Sequence, residues 1–315
     1  MSEINTAPLV SILTPSYNSA HFIEETISSV HGQDYSPLEH IVIDGGSTDG
    51  TVDILRRYPH LRWLSEPDAG QSDALNKGLA LAKGEIIGWL NADDLYEPGA
   101  VSKVMAYFGA HPAAQVVYGN CTVFGPQGEV LEYWRGPYDH QKLLEPWHGF
   151  HGAFQPSIFY TRDILNKIGG WAVDLHYVMD YDILLKASEF CQFDYLDADL
   201  SRFRRHSEQK GAQEWHKFVR EFVVSVERFW RGRDWRRYWL YRFQVRHFYA
   251  LALLELITKA QLSSPELERQ FLWRAVRVAP TVLRYPWVRR RCLRELLGPR
   301  LAGAIDKLRK RGGNL

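Results

Sequence analysis

Two acids, Asp93 and Asp94, close the apolar run "EIIGWLNADD" that begins at Glu85. A buried strand ending in adjacent carboxylates sets like charges side by side, and taking them out of water is costly. A cation at the strand end relieves both problems. Mg2+ or Mn2+ suits such a place, because hard cations take oxygen ligands, often one or two carboxylates plus substrate phosphates. Without a metal the pair repels a diphosphate; with one, the local charge is reversed.

Those acids need a scaffold, and the chain before them supplies one. "LVSIL" at 9–13 reads as a buried strand ending in "TPSYN", and His21 to Val30 has helical spacing. "LEHIVID" is a second strand, followed by "GGSTDGT" and a helix through Ile54 and Leu55. "LRWLSEP" is a third strand, "QSDALNKGLALAKG" a helix closed by Gly84, and "EIIGWL" the fourth strand. Buried strands alternating with helices predict an α/β fold with a mostly parallel sheet flanked by helices. Ligands in such sheets bind beyond the carboxyl ends of the strands. There the first strand delivers Thr14, Pro15, Tyr17 and Asn18, and the second Asp44, Gly45, Gly46 and Ser47. The third delivers Glu66, Pro67 and Asp68, and the fourth Asn91, Ala92, Asp93 and Asp94. This set suits a nucleotide diphosphate. Tyr17 can stack on a base or pack a loop. Asp44 can accept from a base N–H or cap its own turn.

Beyond Gly99 the pattern changes. "AQVVYGNCTVFG" and "EVLEYWRG" around a turn at Pro126 to Gly128 predict a hairpin. "FQPSIFY" reads as a strand, and "TRDILNKIGG" as a short helix with Thr161 as N-cap and Gly169 near its end. "YVMDYDILLKASEF" is a further helix, whose start Asp180 can cap. His206 in "FRRHSEQKG" can close on a diphosphate, ligate a metal as imidazole, or lie in an exposed loop. Arg202, Arg204 and Arg205 reach phosphates or flank a strand. "WHGFH", Trp147 to His151, offers sugar stacking or packing. Gln155 and Pro156 show no chemical role.

Net charge divides the chain. Residues 211–315 carry 23 basic against 9 acidic side chains, a net of +14, whereas residues 1–210 carry a net of −13. The basic part reads as helices rich in Arg and Trp, with Ser264 before Pro265 as a helix start. One reading is contact with an anionic membrane surface, Arg289, Arg290 and Arg291 lying beside Trp287 and Val288 as an interfacial helix would place them. The other is a helical bundle on the acidic part. Cys121, Cys191 and Cys292 show no CxxC spacing, which fits a reducing compartment. "MSEINTAPLV" does not read as a signal peptide, and "FYALALLELI" is too short to span a bilayer. The expected location is cytoplasmic, peripheral at the inner face of the plasma membrane, and nothing points to nucleic acid.

"SILTPSYN", "IVIDGGSTDGT", "SEPDAGQSDALNKG", "WLNADD" and the later "GAFQPSIFYTRDILNKIGGWAVDLHYVMDYDILLK" resemble, in order, the motifs of the family 2 glycosyltransferases. The resemblance runs from about Leu9 to Gly211. It implies a GT-A fold over 1–210, with 211–315 as a C-terminal α-helical extension. It also implies an inverting transfer of one sugar, of the hexosyl type, from a nucleotide-diphospho-sugar to a glycan or lipid-linked glycan in cell-envelope or polysaccharide synthesis. Carried over position by position, Asp180 is the catalytic base. Thr14, Pro15, Tyr17, Asn18, Asp44, Gly46, Asp68, Asn76, Asn91, Ala92 and Asp93 meet the nucleotide-sugar. Asp93 lies in the metal-binding DxD segment with Asp94 beside it, and His206, on one of its readings above, completes the expected metal ligands. Two positions depart from the pattern: Gly45 replaces the second acid after Asp44, and Asn91 the first acid of the metal-binding DxD segment. The QxxRW motif of processive members is absent, which implies single addition. Two rival readings are a sugar nucleotidyltransferase, which shares a related fold, and a non-catalytic nucleotide- or glycan-binding module.

Overall fold

The structure is a computed structural model that describes residues 7–138, 143, 154–206, 215–258 and 264–296. "WHGFH" and the chain after residue 296 lie outside the described residues. The described residues form two compact units, one up to residue 206 and one from residue 215.

The first unit is built on one nine-stranded sheet, in the order β3-β2-β1-β4-β8-β6-β9-β5, with β7 paired to β6. Its parallel half follows the expected alternation: β1 (Val10–Ser16), α1 (Ile23–His31), β2 (Leu38–Asp44), α2 (Thr51–Leu55), β3 (Arg62–Ser65), α3 (Gln71–Leu81) and β4 (Ile86–Trp89). β1 pairs in parallel with β2 and β4, and β2 with β3. Both faces of β1 are buried, including Ser11, Thr14 and Ser16, as a strand flanked on both sides within a parallel sheet requires. All four carboxyl ends therefore open on one rim.

The other half is mixed. β5 (Leu95–Tyr96) and α4 (Ala100–Ala110) lead into the predicted hairpin of β6 (Val116–Phe124) and β7 (Val130–Trp134). β8 (Ile158–Thr161) runs antiparallel between β4 and β6. Gln155–Ser157, expected as strand, is instead a turn of 3₁₀ helix, since Pro156 has no N–H for a ladder. Thr161 caps α5 (Arg162–Ile168) by accepting from the Ile164 N–H, and Gly169 ends that helix in the left-handed region. α6 (Met179–Ala187) follows. The chain then enters β9 (Phe193–Arg204), parallel to β6 and antiparallel to β5. β9 hides from a pattern reading because "FDYLDADLSRFR" is too polar for a central strand, yet pairing on both sides satisfies its backbone.

Two glycines serve contacts rather than turns. Gly84 does not close α3, which ends at Leu81; a Cβ there would come 2.5 Å from Ser11 Oγ. At Gly88 in β4 a Cβ would meet Tyr96 Oη at 2.6 Å and Ile12 Cδ1 at 2.8 Å. A glycine inside a strand often marks such an approach.

The second unit packs α7 (Trp215–Trp230), α8 (Trp235–Thr258) and α9 (Pro265–Val278), the last capped by Ser264 as expected. Its core includes Leu253, Leu272, Val282, Val288 and Cys292. Val288 is fully buried there with Trp287 packed against it, so the expected insertion of this pair into a membrane is not what the structure presents. Arg289, Arg290 and Arg291 remain exposed. No described helix is long and apolar enough to cross a membrane.

Gly88→Ala overpacks the core between β4 and Tyr96 and should cost about 1–3 kcal/mol. A denaturant titration of the purified chain will read this as a lowered midpoint with unchanged slope.

Candidate active site

At the end of β1 the site residues divide between interior and surface. Thr14 and Pro15 are buried in the sheet, and Thr14 Oγ1 lies 2.9 Å from His40 Nε2. Burial pushes the His40 imidazole down to about 3, so it is neutral. Tyr17, one residue past the strand, is 66% exposed. Asn18 takes a left-handed conformation, φ 48°, its N–H donating to Ser47 Oγ at 2.7 Å. Its Oδ1 accepts the Thr48 N–H at 3.0 Å, which fastens the ends of β1 and β2 together.

Asp44 does not face the rim. Its carboxylate is fully buried and accepts from Ser47 N at 2.9 Å, Gly46 N at 3.2 Å, Ser65 Oγ at 2.7 Å and Ser47 Oγ. Short acids compete for nearby backbone donors in this way, and Gly46, at φ 81°, lets the turn fold back over it. Of the two roles open in sequence, the structure displays the turn cap. Asp68 caps the next turn through the Gly70 N–H at 2.8 Å, and its carboxylate fills the space beside Gly45: a Cβ there would lie 2.9 Å from Asp68 Oδ2.

The paired acids separate. Asp94 is fully buried; its Oδ1 accepts the Arg204 backbone N–H at 3.0 Å and its Oδ2 an Asn91 Nδ2–H at 3.3 Å. Burial, with Asp93 beside it, holds the Asp94 carboxyl well above the usual carboxylate range. It faces the interior and not the rim, contrary to its expected place beside Asp93 as a metal ligand. Asp93 keeps 25% of its side chain exposed, and its Oδ2 lies 2.9 Å from His206 Nε2. Arg204 ties the turn from the far side: its Nε donates to Asp93 O at 3.0 Å and its Nη2 to Glu25 Oε2 at 2.7 Å. The guanidinium lies 4.6 Å over Phe124 and 5.1 Å over Phe22. Phe22 also packs on the His206 ring, centroids 4.7 Å apart. Thr26 Oγ1 is 2.9 Å from both Ala92 O and Asp94 O, so Ala92 enters the site only by its backbone.

Asn91 is a junction. Its Oδ1 accepts from Gln71 Nε2 at 2.7 Å and Trp89 Nε1 at 2.8 Å, and its Nδ2 donates to Gln155 Oε1 at 2.9 Å as well as to Asp94. Asn76 likewise turns to the protein: its Nδ2 donates to Trp171 O at 2.8 Å and its Oδ1 accepts Trp171 N at 3.0 Å. Gln71, Gln155, Thr26 and Arg204 are the supports that sequence reading did not assign. The one available signal was Gln155 beside an apolar strand, since a buried polar side chain needs a partner.

Asp180 sits in the first turn of α6. The preceding loop is pinned to the start of α3, where Ser72 Oγ donates to Leu175 O at 3.1 Å. The same turn of α3 reaches Asn91 through Gln71, so α3 links the acids of β4 to the loop that carries Asp180. Asp180 keeps partial solvent access, yet surrounding protein pushes its carboxyl up to about 6 against the opposing Tyr181 N–H, 2.8 Å from Oδ1. A carboxylate with that pKa is suited to take a proton near neutral pH.

The donors fit a divalent cation in kind: a part-exposed carboxylate and an imidazole nitrogen side by side, with the second ring nitrogen of His206 buried and without a hydrogen-bond partner among the described residues. Among the described residues no three His, Cys, Asp or Glu side chains cluster to hold one by themselves.

The comparisons with known proteins bear on the family and the fold. The sequence model for "Glycosyl transferase family 2" matches residues 11–169. The chain is 34% identical over 197 residues to an uncharacterized glycosyltransferase of Mycobacterium tuberculosis, covering 60% of this chain and 72% of that one. It is 30% identical over 202 residues to the hyaluronan synthase of Pasteurella multocida, covering 62% of this chain. The matched region is only 20% of that synthase, so the chain corresponds to about a fifth of it. Among solved structures, S. aureus TarS 1-349 in complex with UDP-GlcNAc superposes with TM-score 0.59 at 18% identity, over 86% of this chain and 81% of that one. The mannosyltransferase PcManGT of Pyrobaculum calidifontis, in complex with GDP-Man and Mn2+, gives 0.56 at 20% identity, over 96% and 88%. At such identity these likenesses show the shared GT-A fold. With the ordered motifs, the acid turn at the end of β4 and a family match over half its length, the chain belongs to glycosyl transferase family 2.

Proposed function

We propose that the chain transfers a single hexosyl residue, with inversion, from a nucleotide-diphospho-sugar to a hydroxyl of a glycan or lipid-linked glycan, in polysaccharide or glycoconjugate synthesis. The observation that carries this reading is the split of the acid pair, which buries Asp94 and leaves Asp93 at the rim against His206. The catalytic chemistry lies in residues 1–210, and the basic helices of 211–315 bring it to an anionic membrane face of the cytoplasm.

Asp93 and His206 would hold the divalent cation, Mg2+ or Mn2+. When bound, it supplies the positive charge that lets the diphosphate leave without a general acid. Tyr17, exposed at the rim, stacks on the base, and Asp44 fixes the turn beneath it. Asn18 and Gly46 shape that turn, and Asp68 closes its far side. Asp180 takes the proton of the acceptor hydroxyl as it attacks the anomeric carbon from the face opposite the diphosphate, through an oxocarbenium-like transition state. The two acids have separate duties because their surroundings differ.

Thermal-shift screening of nucleotide sugars with and without Mn2+ should reveal one donor that raises Tm only with the metal, as mass action requires of a ligand bound by the native state. Asp93→Ala should abolish that metal-dependent shift and turnover. Full activity of the wild type in EDTA would refute the metal assignment.

Asp180→Asn should keep the donor-induced Tm shift yet lose transfer by roughly 10²–10⁴-fold. In the wild type, kcat/KM should rise with pH through about 6 and level off above it, since only the ionised Asp180 accepts a proton. Loss of donor binding with normal transfer at saturation would remove Asp180 from the base role. Donor-dependent release of nucleoside diphosphate, measured in the same assay, separates an enzyme from a binding module.

A further inference from the structure

Helix α8 buries only its second half. Its buried side chains begin at Val245 and continue through Tyr249, Leu253 and Ile257. None of residues 235–244 is buried, although six are aromatic or aliphatic. Trp235, Trp239, Phe243 and Leu240 are 71%, 58%, 57% and 54% exposed. Trp235, Trp239 and Phe243 recur every four residues, which aligns them in a row along one side, with Leu240 beside it.

The other side of this segment is occupied. Tyr241 stacks on Trp230 of α7 with centroids 5.2 Å apart, and Glu227 of α7 accepts from both Arg242 and Arg246. Tyr241 lies across the helix from Trp239 and Phe243, whereas Arg242 and Arg246 flank the row and reach Glu227 past its edge. Its charge has one sign: residues 228–246 hold seven arginines and a single acid, Asp234. Arg236 lies 5.4 Å over the Trp235 ring and Arg242 4.9 Å over Trp239, so guanidinium groups border the row.

We infer that this face docks on an anionic lipid surface. A contiguous exposed apolar patch marks an interaction site. Indole rings favour the membrane–water boundary, where their apolar body and polar N–H are both satisfied. Leu240 and Phe243 enter the acyl edge, while the arginines meet lipid phosphates, as in a helix lying in the interface. The charge argues against a second copy on the same face, because arginine would then face arginine. A neutral glycan would leave the arginines without counter-charge. The inference deepens the membrane part of the proposed function and does not depend on the donor chemistry. It also moves the contact from the Trp287–Arg291 segment, whose Val288 lies in the core, to the start of α8.

Sedimentation of the full chain with vesicles tests it. Phosphatidylglycerol-rich vesicles should capture the wild type at low salt, pure phosphatidylcholine vesicles should not, and about 0.5 M salt should release most of it. The variant Trp235→Ser/Trp239→Ser/Phe243→Ser and the variant Arg236→Glu/Arg237→Glu should each bind at least about tenfold more weakly. Arg289→Glu/Arg290→Glu/Arg291→Glu should bind nearly as well as the wild type. All these positions are outside the candidate active site, so donor hydrolysis in solution should be unchanged. Unaltered capture of both α8 variants overturns the proposal, as does a wild type that ignores anionic vesicles. A self-association that the α8 variants abolish, with no vesicle binding, would assign the face to a second copy instead. Vesicle binding by a chain that hydrolyses no donor would keep the docking surface and refute the enzymatic reading.

Discussion

The burial of Asp94 under the Arg204 backbone is the constraint on which the site depends. A carboxylate removed from water is tolerable only where donors satisfy it, and here the Arg204 N–H and the Asn91 amide do so. The pairing is enforced from both directions, since β5 starts directly after Asp94 and hydrogen-bonds to β9 just before Arg204. Leaving one member of such a buried hydrogen-bonded arrangement unpaired typically costs about 1–3 kcal/mol. This cost is what keeps the turn in one conformation, and that conformation turns Asp93 outward. The same end of β9 carries His206 two residues later, so one register fixes both rim-facing groups.

Asparagine at position 91 follows from that constraint. Its amide donates to Asp94 and Gln155 while its carbonyl accepts from Gln71 and Trp89. An aspartate there would lose both donors and place a third carboxylate beside a buried one, which disfavours ionisation of each. The departure from the two-acid pattern thus gives up one metal-binding oxygen for a fully satisfied junction. Gly45 shows a related exchange, because the Asp68 carboxylate occupies the volume a side chain at 45 would need. In both places the change in one residue is answered by a neighbour distant in sequence.

The helical unit obeys a different logic. Its core is assembled from the second half of α8, from α9 and from the segment through Cys292. The density of Arg and Trp in residues 211–315 was legible as a whole, but the division of the Trp residues was not. Trp287 and Trp235 stand in similar arginine-rich surroundings; one packs against a core and the other is open to solvent.

The sequence by itself determined the parallel half of the sheet, the hairpin, the caps at Thr161 and Ser264, and the family. Each rests on local periodicity or on residues close together along the chain. It did not determine β9 or the 3₁₀ turn at Gln155, because pairing with β6 overrides the polarity of one, and Pro156 blocks the other. Nor did it separate acids of the same type. Asp44, Asp93, Asp94 and Asp180 all occur where a ligand site would want them, yet Asp44 and Asp94 are buried by donors and Asp93 and Asp180 are not. That distinction is tertiary, since it depends on the backbone N–H groups that arrive from Ser47 at Asp44 and from Arg204 at Asp94. Sequence fixes the kind of group at each position; only the fold decides whether its lone pairs are already taken.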